Sequence, residues 1–378
     1  MSVRAYVMAA GLGTRLYPLT GLTSKPMVPI LNRPVMEHLL NLLRRHGVTE
    51  IAANLHYHPE KIRSYFGDGA DFGVELRYNL EERLLGTAGG ANAFREFLAG
   101  STFLVMSGDG LTDIDLTAFL AAHRAGGGIA TMAVKEVADP SLYGVVVHDD
   151  AWRVVGFQEK PPREEALSSL CNCGIYAFEP EILDYVPPGE FVDWAKDVFP
   201  ALLADERPFH AWELESYWND VGNIEQYRIG NFDALLGRVE LEIPGRAVAP
   251  NVWVGQGTEI EPGVRLEAPV LLGAGCLVES GAELIGPLIV GDGCVIERGA
   301  VLEGVIQWDG ARAGRDSRLA GSILGRNVIV HHEAVVHEDA VIGDRSDVAP
   351  HAAIAAGARV EPRTCVGPEG FGTGSGSK

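Results

Sequence analysis

Acidic side chains are absent from the start of the chain. No Asp or Glu precedes Glu37, although the 378 residues carry 51 Asp+Glu against 31 Lys+Arg and a formal net charge of −20. Arg4, Arg15, Lys25 and Arg33 fall inside that acid-free stretch. A local anion site is therefore expected there, within a molecule whose overall sign excludes non-specific nucleic-acid binding and docking on anionic membranes. Long apolar runs are lacking too: none approaches the roughly 18 residues of a membrane span. The apolar start Val3–Ala10 is cut by Gly11-Leu12-Gly13-Thr14-Arg15, so it reads as a buried first strand and not as a signal-peptide core. Cysteine is scarce, five residues and an odd number, which argues against a disulfide framework and for a cytoplasmic setting. Two nucleotide motifs are missing. Leu16 stands where a dinucleotide loop has its third glycine, and no G-x-x-x-x-G-K-[ST] occurs, which excludes a P-loop NTPase.

Glycine, by contrast, is abundant at 46 residues, and the way it is used divides the chain near residue 240. Before that point, apolar strands alternate with amphipathic helices. Strands are expected at Val3–Ala9, Thr49–Asn54, Val74–Tyr78 and Thr102–Met106, and helices at Pro34–His46, Pro59–Phe66 and Ala88–Leu98. Strand, turn and helix in repetition predict an α/β fold with a mostly parallel mixed sheet. Ligands of such sheets sit beyond the carboxyl ends of strands, where the Gly11 loop and Asp109 fall.

From Val254 every sixth residue is aliphatic up to Leu302, and from Leu324 the same holds up to Val366. A six-residue period of this kind predicts a parallel β-helix of hexapeptide repeats, with the aliphatic residue inside and glycines such as Gly255, Gly273, Gly291, Gly325 and Gly343 at tight corners. The 22 residues between Leu302 and Leu324 are not a multiple of six, so one coil is expected to carry a loop or an offset, with Trp308-Asp309-Gly310 at the loop tip. Cys276 and Cys294, one coil apart, should stack as neighbours. The expected organisation is a first domain at 1–240, a β-helix at 250–367 and a Gly/Ser-rich flexible tail at 368–378.

The glycine loop is followed by Arg15 and, ten residues later, Lys25. Glycines let backbone N–H groups approach a phosphate or base, Arg grips phosphate oxygens bidentately and Lys adds a point charge. The same residues also suit a tight turn with solvated cations. Gly11-x-Gly13-Thr14-Arg15-x-x-Pro18-Leu19-Thr20, with Lys25-Pro26 downstream, resembles the signature of sugar-1-phosphate nucleotidyltransferases. The resemblance continues in order through Leu85-Gly86-Thr87-Ala88-Gly89-Gly90, Ser107-Gly108-Asp109, Tyr143-Gly144-Val145, Phe157-Gln158-Glu159-Lys160-Pro161, Asn172-Cys173-Gly174-Ile175-Tyr176 and Trp218-Asn219-Asp220-Val221-Gly222. It covers about residues 3–236, and several members of that family carry a C-terminal hexapeptide β-helix, left-handed in the coil.

The resemblance implies transfer of a nucleoside monophosphate from an NTP to a sugar-1-phosphate, with release of pyrophosphate. It places Arg15 and Lys25 on the reacting phosphates. Ala10, Gly11, Gly13, Thr14, Glu81 and Gly86 would face the nucleotide, and Gly144, Glu159, Lys160 and Asn172 the sugar phosphate. Asp109 and Asp220 would hold Mg²⁺, although from the residues alone each also suits a helix cap. Cys173 stands where the family has Thr or Ser, and Gly110 where it often has Asn or Val. The stretches Ser24–Ile30, Glu37-His38, Leu85–Gly90 and Leu111–Asp115 look most like mannose-1-phosphate guanylyltransferases. Similar ones occur in glucose-1-phosphate uridylyltransferases and thymidylyltransferases. A non-catalytic regulatory subunit would have lost one of Arg15, Lys25, Asp109, Lys160 or Asp220. A β-helix acyltransferase would draw its base from His331, His332, His337 or His351. The β-helix is expected to serve homo-oligomer assembly, with Trp253 and Trp308 as contact residues.

Overall fold

The computed structural model describes residues 3–371; the end of the expected tail, 372–378, lies outside them. The elements begin with β1 (Arg4–Met8), the short pair β2 (Pro29–Ile30) and β3 (Arg33–Pro34), α1 (Val35–Arg45), β4 (Glu50–Leu55), α2 (Pro59–Phe66) and β5 (Glu75–Leu80). Next come α3 (Gly86–Gly89), α4 (Arg95–Leu98), β6 (Phe103–Ser107), β7 (Leu111–Thr112), α5 (Leu116–Gly126), β8 (Ala130–Glu136), β9 (Gly144–His148) and β10 (Val154–Glu159). The series closes with β11 (Leu170–Phe178), α6 (Phe199–Ala204), β12 (Phe209–Glu213), β13 (Trp218–Asn219) and α7 (Ile224–Leu235). Two compact units result. One comprises residues up to 12 together with 35–220; the other comprises 13–34 together with 221 onward.

The first unit is built on a nine-stranded mixed sheet. Strands β6, β1, β4 and β5 run parallel, and β11 returns antiparallel to β6 and β8. Parallel strands covered on both faces must be apolar throughout, and β1, β4 and β6 are almost wholly buried. An aromatic cluster of Phe103, Tyr176, Phe178, Trp194, Phe199 and Phe209 packs one face. The helix expected over Ala88–Leu98 is broken into α3, a 3-10 turn at Gly90–Phe94 and α4. The reason is local: the N–H groups of Ala88 and Gly89 both donate to the carbonyl of Val192, at 2.9 and 3.1 Å, which sets the entry of the segment.

The second unit carries the β-helix, three parallel sheets stacked coil on coil. Pairing of Val252 with Val270 and of Val270 with Leu288 gives coils of 18 residues. Of the two alternatives expected between Leu302 and Leu324, a loop or an offset, the strand pairing shows the offset. Ile289 pairs with Ile306 and Ile306 with Ile323, so two consecutive coils have 17 residues. Each has lost one residue at the same corner, where Gly304 and Gly321 adopt positive φ. Gln307 consequently takes the inward position between Val290 and Leu324. Trp308 is no loop tip and no outer contact: it is 2% exposed. The corner glycines Gly255, Gly273, Gly291, Gly325 and Gly343 serve close stacking of coils, not left-handed turns. An added Cβ on Gly273, for instance, would lie 2.5 Å from the Gly291 carbonyl carbon. Cys276 and Cys294 are buried free thiols in the core stack, as expected of neighbours one coil apart. No helix among the described residues is long and apolar enough to cross a membrane.

Candidate active site

The chain enters the glycine loop from the end of β1, and a buried polar relay fixes that entry. The Ala9 N–H donates to Asn54 Oδ1 at 2.8 Å, and Asn54 Nδ2 donates to Glu81 Oε1 at 2.7 Å. The second carboxylate oxygen of Glu81 accepts the Leu85 N–H at 3.0 Å. Glu81 is only 4% exposed. It therefore ties β1, β4 and the Leu85–Gly90 segment together, and both its oxygens serve protein groups. Its charge, added to burial, holds the Tyr6 hydroxyl well above the usual tyrosine range. Gly86 and Gly90 are required by this packing: a Cβ would lie 2.3 Å from the Val192 carbonyl oxygen at the first and 2.3 Å from Glu81 Oε1 at the second. Ala10 is buried while Gly11 is exposed, with nothing within 4 Å of a built Cβ.

Within the second unit, Gly13 is left-handed at φ 67 and opens a 3-10 turn, Thr14–Leu16. Buried Leu16 anchors the turn and leaves Thr14 and Arg15 exposed. The Thr20 hydroxyl donates to the Gly13 carbonyl at 2.8 Å. The stem of Lys25 lies against the same glycine, its Cβ 3.0 Å from where a Gly13 Cβ would be. Arg15 and Lys25 thus flank one backbone turn, which fits the cation pair expected from the acid-free stretch.

Asp109 and Asp220, 111 residues apart in sequence, flank the same end of the smallest ribbon of the fold, in the first unit. β7 and β13 pair antiparallel, Leu111 with Asn219 and Thr112 with Trp218. Continuing that register sets Asp220 across from Gly110, beside Asp109. The ribbon is secured by Thr112 Oγ1 to the Tyr217 carbonyl at 2.7 Å and by the Tyr217 N–H to Asp113 at 2.8 Å. The Ser107 hydroxyl donates to Asp109 Oδ1. Neither Asp is a helix cap: Asp115 caps α5 and Asn223 caps α7. Two carboxylates suit a hard ion such as Mg²⁺, which completes its shell with water and substrate phosphate oxygens and seldom needs an all-protein cage. No group of three or more His, Cys, Asp or Glu that could hold a metal occurs among the described residues.

The sugar-phosphate candidates gather on β9, β10 and β11. Gly144 pairs with Glu159 in the β9–β10 register. A Cβ there would strike Phe157 at 2.5 Å, and Glu159 Oε2 would lie at 3.3 Å. Lys160 follows in a left-handed conformation, its N–H on the Tyr143 carbonyl at 3.1 Å; its side chain is 53% exposed, and its ammonium lies 3.6 Å from Glu159. Asn172 sits at an irregularity of β11, accepting the Gly174 N–H and donating to the Tyr176 hydroxyl, both at 2.9 Å. Cys173 is buried, and burial pushes its thiol well up. Its carbonyl accepts the Trp218 indole N–H at 3.0 Å, and Trp218 meets the Tyr143 ring edge-on at 5.4 Å. Sequence reasoning assigned no part to Asn54, Ser107 or Lys135, whose ammonium donates to the Ser216 carbonyl at 2.6 Å on the approach to β13. An Asn within the apolar strand Ile51–Leu55 was the available signal for the first; Lys135 offered none.

The nucleotidyl transferase family profile matches residues 4–235. The chain is 42% identical over 283 residues to a UTP–glucose-1-phosphate uridylyltransferase of Synechocystis, covering 71% of this chain and 73% of the relative. It is 35% identical over 286 residues to a mannose-1-phosphate guanylyltransferase of Mycobacterium tuberculosis, covering 71% and 79%. In fold, it superposes on a crystal structure of a Bacillus anthracis protein described as a glucose-1-phosphate thymidylyltransferase, with TM-score 0.58 at 23% identity, over 64% of this chain and 98% of that one. The profile covers more than half of the chain, and the chain belongs to the nucleotidyl transferase family.

Proposed function

We propose that the protein is a sugar-1-phosphate nucleotidyltransferase in which the sugar phosphate attacks the α-phosphorus of an NTP and pyrophosphate leaves. The observation that supports this reading is the antiparallel β7–β13 ribbon, one end of which is flanked by both Asp109 and Asp220. The attacking phosphate is already ionised, so no covalent nucleophile or general base is needed. Catalysis then consists of positioning and charge neutralisation. Arg15 and Lys25 neutralise the α-phosphate and the leaving pyrophosphate. Lys160 holds the sugar phosphate, and Glu159 and Asn172 accept and donate hydrogen bonds at the sugar hydroxyls. Gly11, Gly13 and Gly86 admit the nucleotide to the backbone, with Ala10 and Thr14 beside them and Glu81 bracing the two loops. Mg²⁺, held by Asp109 and Asp220, supplies Lewis-acid charge at the phosphates when bound.

The motif stretches favour GTP and mannose-1-phosphate. A second reading, UTP and glucose-1-phosphate, is favoured by the 42% identity to the Synechocystis relative. A grid of five NTPs against mannose-, glucose-, galactose- and N-acetylglucosamine-1-phosphate, read by pyrophosphate release with Mg²⁺, decides between them. No pyrophosphate from any pair would remove the proposal altogether. We assign self-association to the open first coil, where Ile260 is 36% and Val248 47% exposed. Light scattering that gives a monomer at micromolar concentration would remove that assignment.

A further inference from the structure

The segment that carries Arg15 and Lys25 belongs to the same compact unit as the β-helix, and its attachments are specific. β2 and β3 form a two-residue hairpin whose turn, Leu31 and Asn32, is left-handed at both positions, φ 49 and 63. A buried, branched residue such as Leu31 adopts that conformation only where its surroundings hold it. Two groups do so. The Leu31 N–H donates to Asn231 Oδ1 at 3.1 Å, and Asn32 Nδ2 donates to the Val290 carbonyl of the β-helix at 2.7 Å. Asn231, fully buried on α7, also donates to the Pro29 carbonyl at 3.3 Å and to the Tyr227 carbonyl at 3.1 Å. The Tyr227 hydroxyl in turn receives the Trp308 indole N–H at 2.7 Å.

This relay ends on the 17-residue coils. Trp308 follows Gln307, the inward residue that the shortened corner introduces, and Val290 is the ladder partner of Gln307. Farther along the same unit, a Cβ on Gly21 would lie 2.6 Å from Pro362, and Arg228 of α7 pairs with Asp339. The segment 13–34 and α7 are therefore fastened at several successive coils of a stack that deforms little, since every coil is hydrogen-bonded to the next.

We propose that the β-helix is a positioning platform for the phosphate-facing segment, and that Asn32 and Trp308 are positioning residues that act through Lys25. The proposal rests on the functional reading above. It gives the shortened coils a purpose: they place an indole N–H and a backbone carbonyl where α7 and the hairpin need them. Displacement of a phosphate-binding cation by a fraction of an ångström lowers turnover without unfolding anything.

Asn32→Gly keeps the left-handed turn and deletes the bond to Val290; Trp308→Phe keeps a ring and deletes the N–H. In the full chain each is expected to lower kcat about tenfold, with the unfolding midpoint within about 4 °C of wild type. Hydrogen–deuterium exchange of peptides within 13–34 should quicken severalfold in both variants, while peptides of the α/β unit stay unchanged. In a Lys25→Ala background, Asn32→Gly should cost nothing further, because the two act in one chain of contacts. Unchanged exchange in 13–34 for both variants, or an equal loss of kcat with and without Lys25, overturns the proposal. If the wild-type protein turns over no NTP and sugar-1-phosphate pair, the functional reading fails, and the exchange measurement still decides whether the β-helix holds the segment.

Discussion

Glycine in the β-helix is used by phase, and in the α/β unit by individual neighbour. Gly255, Gly273, Gly291, Gly325 and Gly343 recur at one phase of the coil, and at each an added Cβ would meet the next coil at 2.4–2.7 Å. In the α/β unit Gly86 makes way for the Val192 carbonyl, Gly90 for the Glu81 carboxylate and Gly144 for Phe157. A residue of the solenoid is explained by its phase, so one substitution foretells the effect of its equivalents. A residue of the α/β unit is explained by its own neighbours and needs its own experiment. The most damaging test of this contrast is Gly273→Val, which puts a branched side chain on the carbonyl carbon of Gly291. A loss of roughly 4 kcal/mol or more is expected, or failure to fold. Gly275→Ala, two residues away with open space around it and φ 64, should cost only about 1 kcal/mol. Equal losses at the two sites in urea unfolding would break the phase argument.

Function sharpens the contrast with one residue from each unit, Lys25 and Asp109. Lys25→Ala and Asp109→Asn should each lower turnover at least about 100-fold, a barrier change of about 2.7 kcal/mol, with circular dichroism and the unfolding midpoint nearly unchanged. A wild-type rate of pyrophosphate release in either variant would remove that residue from the chemistry. Removal of divalent metal with EDTA should abolish activity in the wild type, and added Mg²⁺ should restore it.

Much of both regions was legible in the sequence, for different reasons. α2 begins and ends where Pro59 and the Gly67 turn said it would, and β1 and β6 fall within a residue or two of expectation, because buried parallel strands are continuous apolar runs. The solenoid was legible from its period. Its slip was left open between a loop and an offset because a 22-residue gap also reads as an insertion, whereas it is 24 less one residue at each of two corners. Interior Gln307 hid the first of those corners, since it stands where an aliphatic residue marks the phase elsewhere. That Asp109 and Asp220 flank one end of the same ribbon was not legible from spacing. It depends on a ribbon of two residues a side, too short to announce itself, and only the resemblance linked the two acids. The double duty of Glu81 was equally hidden, because a carboxylate that braces two loops has the same letter as one that faces a base.

At Gln307, too, the solenoid behaves like the α/β unit, with a polar group where phase asks for an apolar one. Gln307 is 0% exposed, and neither end of its amide has a hydrogen-bond partner; Ser317 and Ser322, at the small inward positions of the same coils, are buried with hydroxyls in the same condition. A buried amide without partners costs roughly 1–3 kcal/mol. Gln307→Leu, flanked by Val290 and Leu324 on the ladder, should therefore stabilise the β-helix by about 1–2 kcal/mol in urea unfolding. A loss of stability would show that the amide is satisfied by trapped water and that phase alone does not govern this coil.

The smallest effect expected is one of pH, and it separates the two regions by a different property. The α/β unit buries an imidazole: His123 on α5 is 1% exposed, with its nitrogens 2.8 Å from the Thr131 hydroxyl and 3.1 Å from Glu179. Burial holds its pKa below the ordinary histidine value, and Glu179 offsets this only in part. The unfolded chain then takes up the proton first. Stability is level above about pH 7, declines as pH falls through about 6.5, and levels again below the folded pKa, at a rate of at most about 1.4 kcal/mol per pH unit. The imidazoles of the β-helix, at His331, His332, His337 and His351, are all at least partly exposed. Hydrogen exchange between pH 7.5 and 5.5 should accordingly quicken around α5 and β8 and not in the coils, and His123→Gln should flatten the change. An equal acceleration in both regions would mean that acid acts on the fold through its carboxylates and not through this one buried ring.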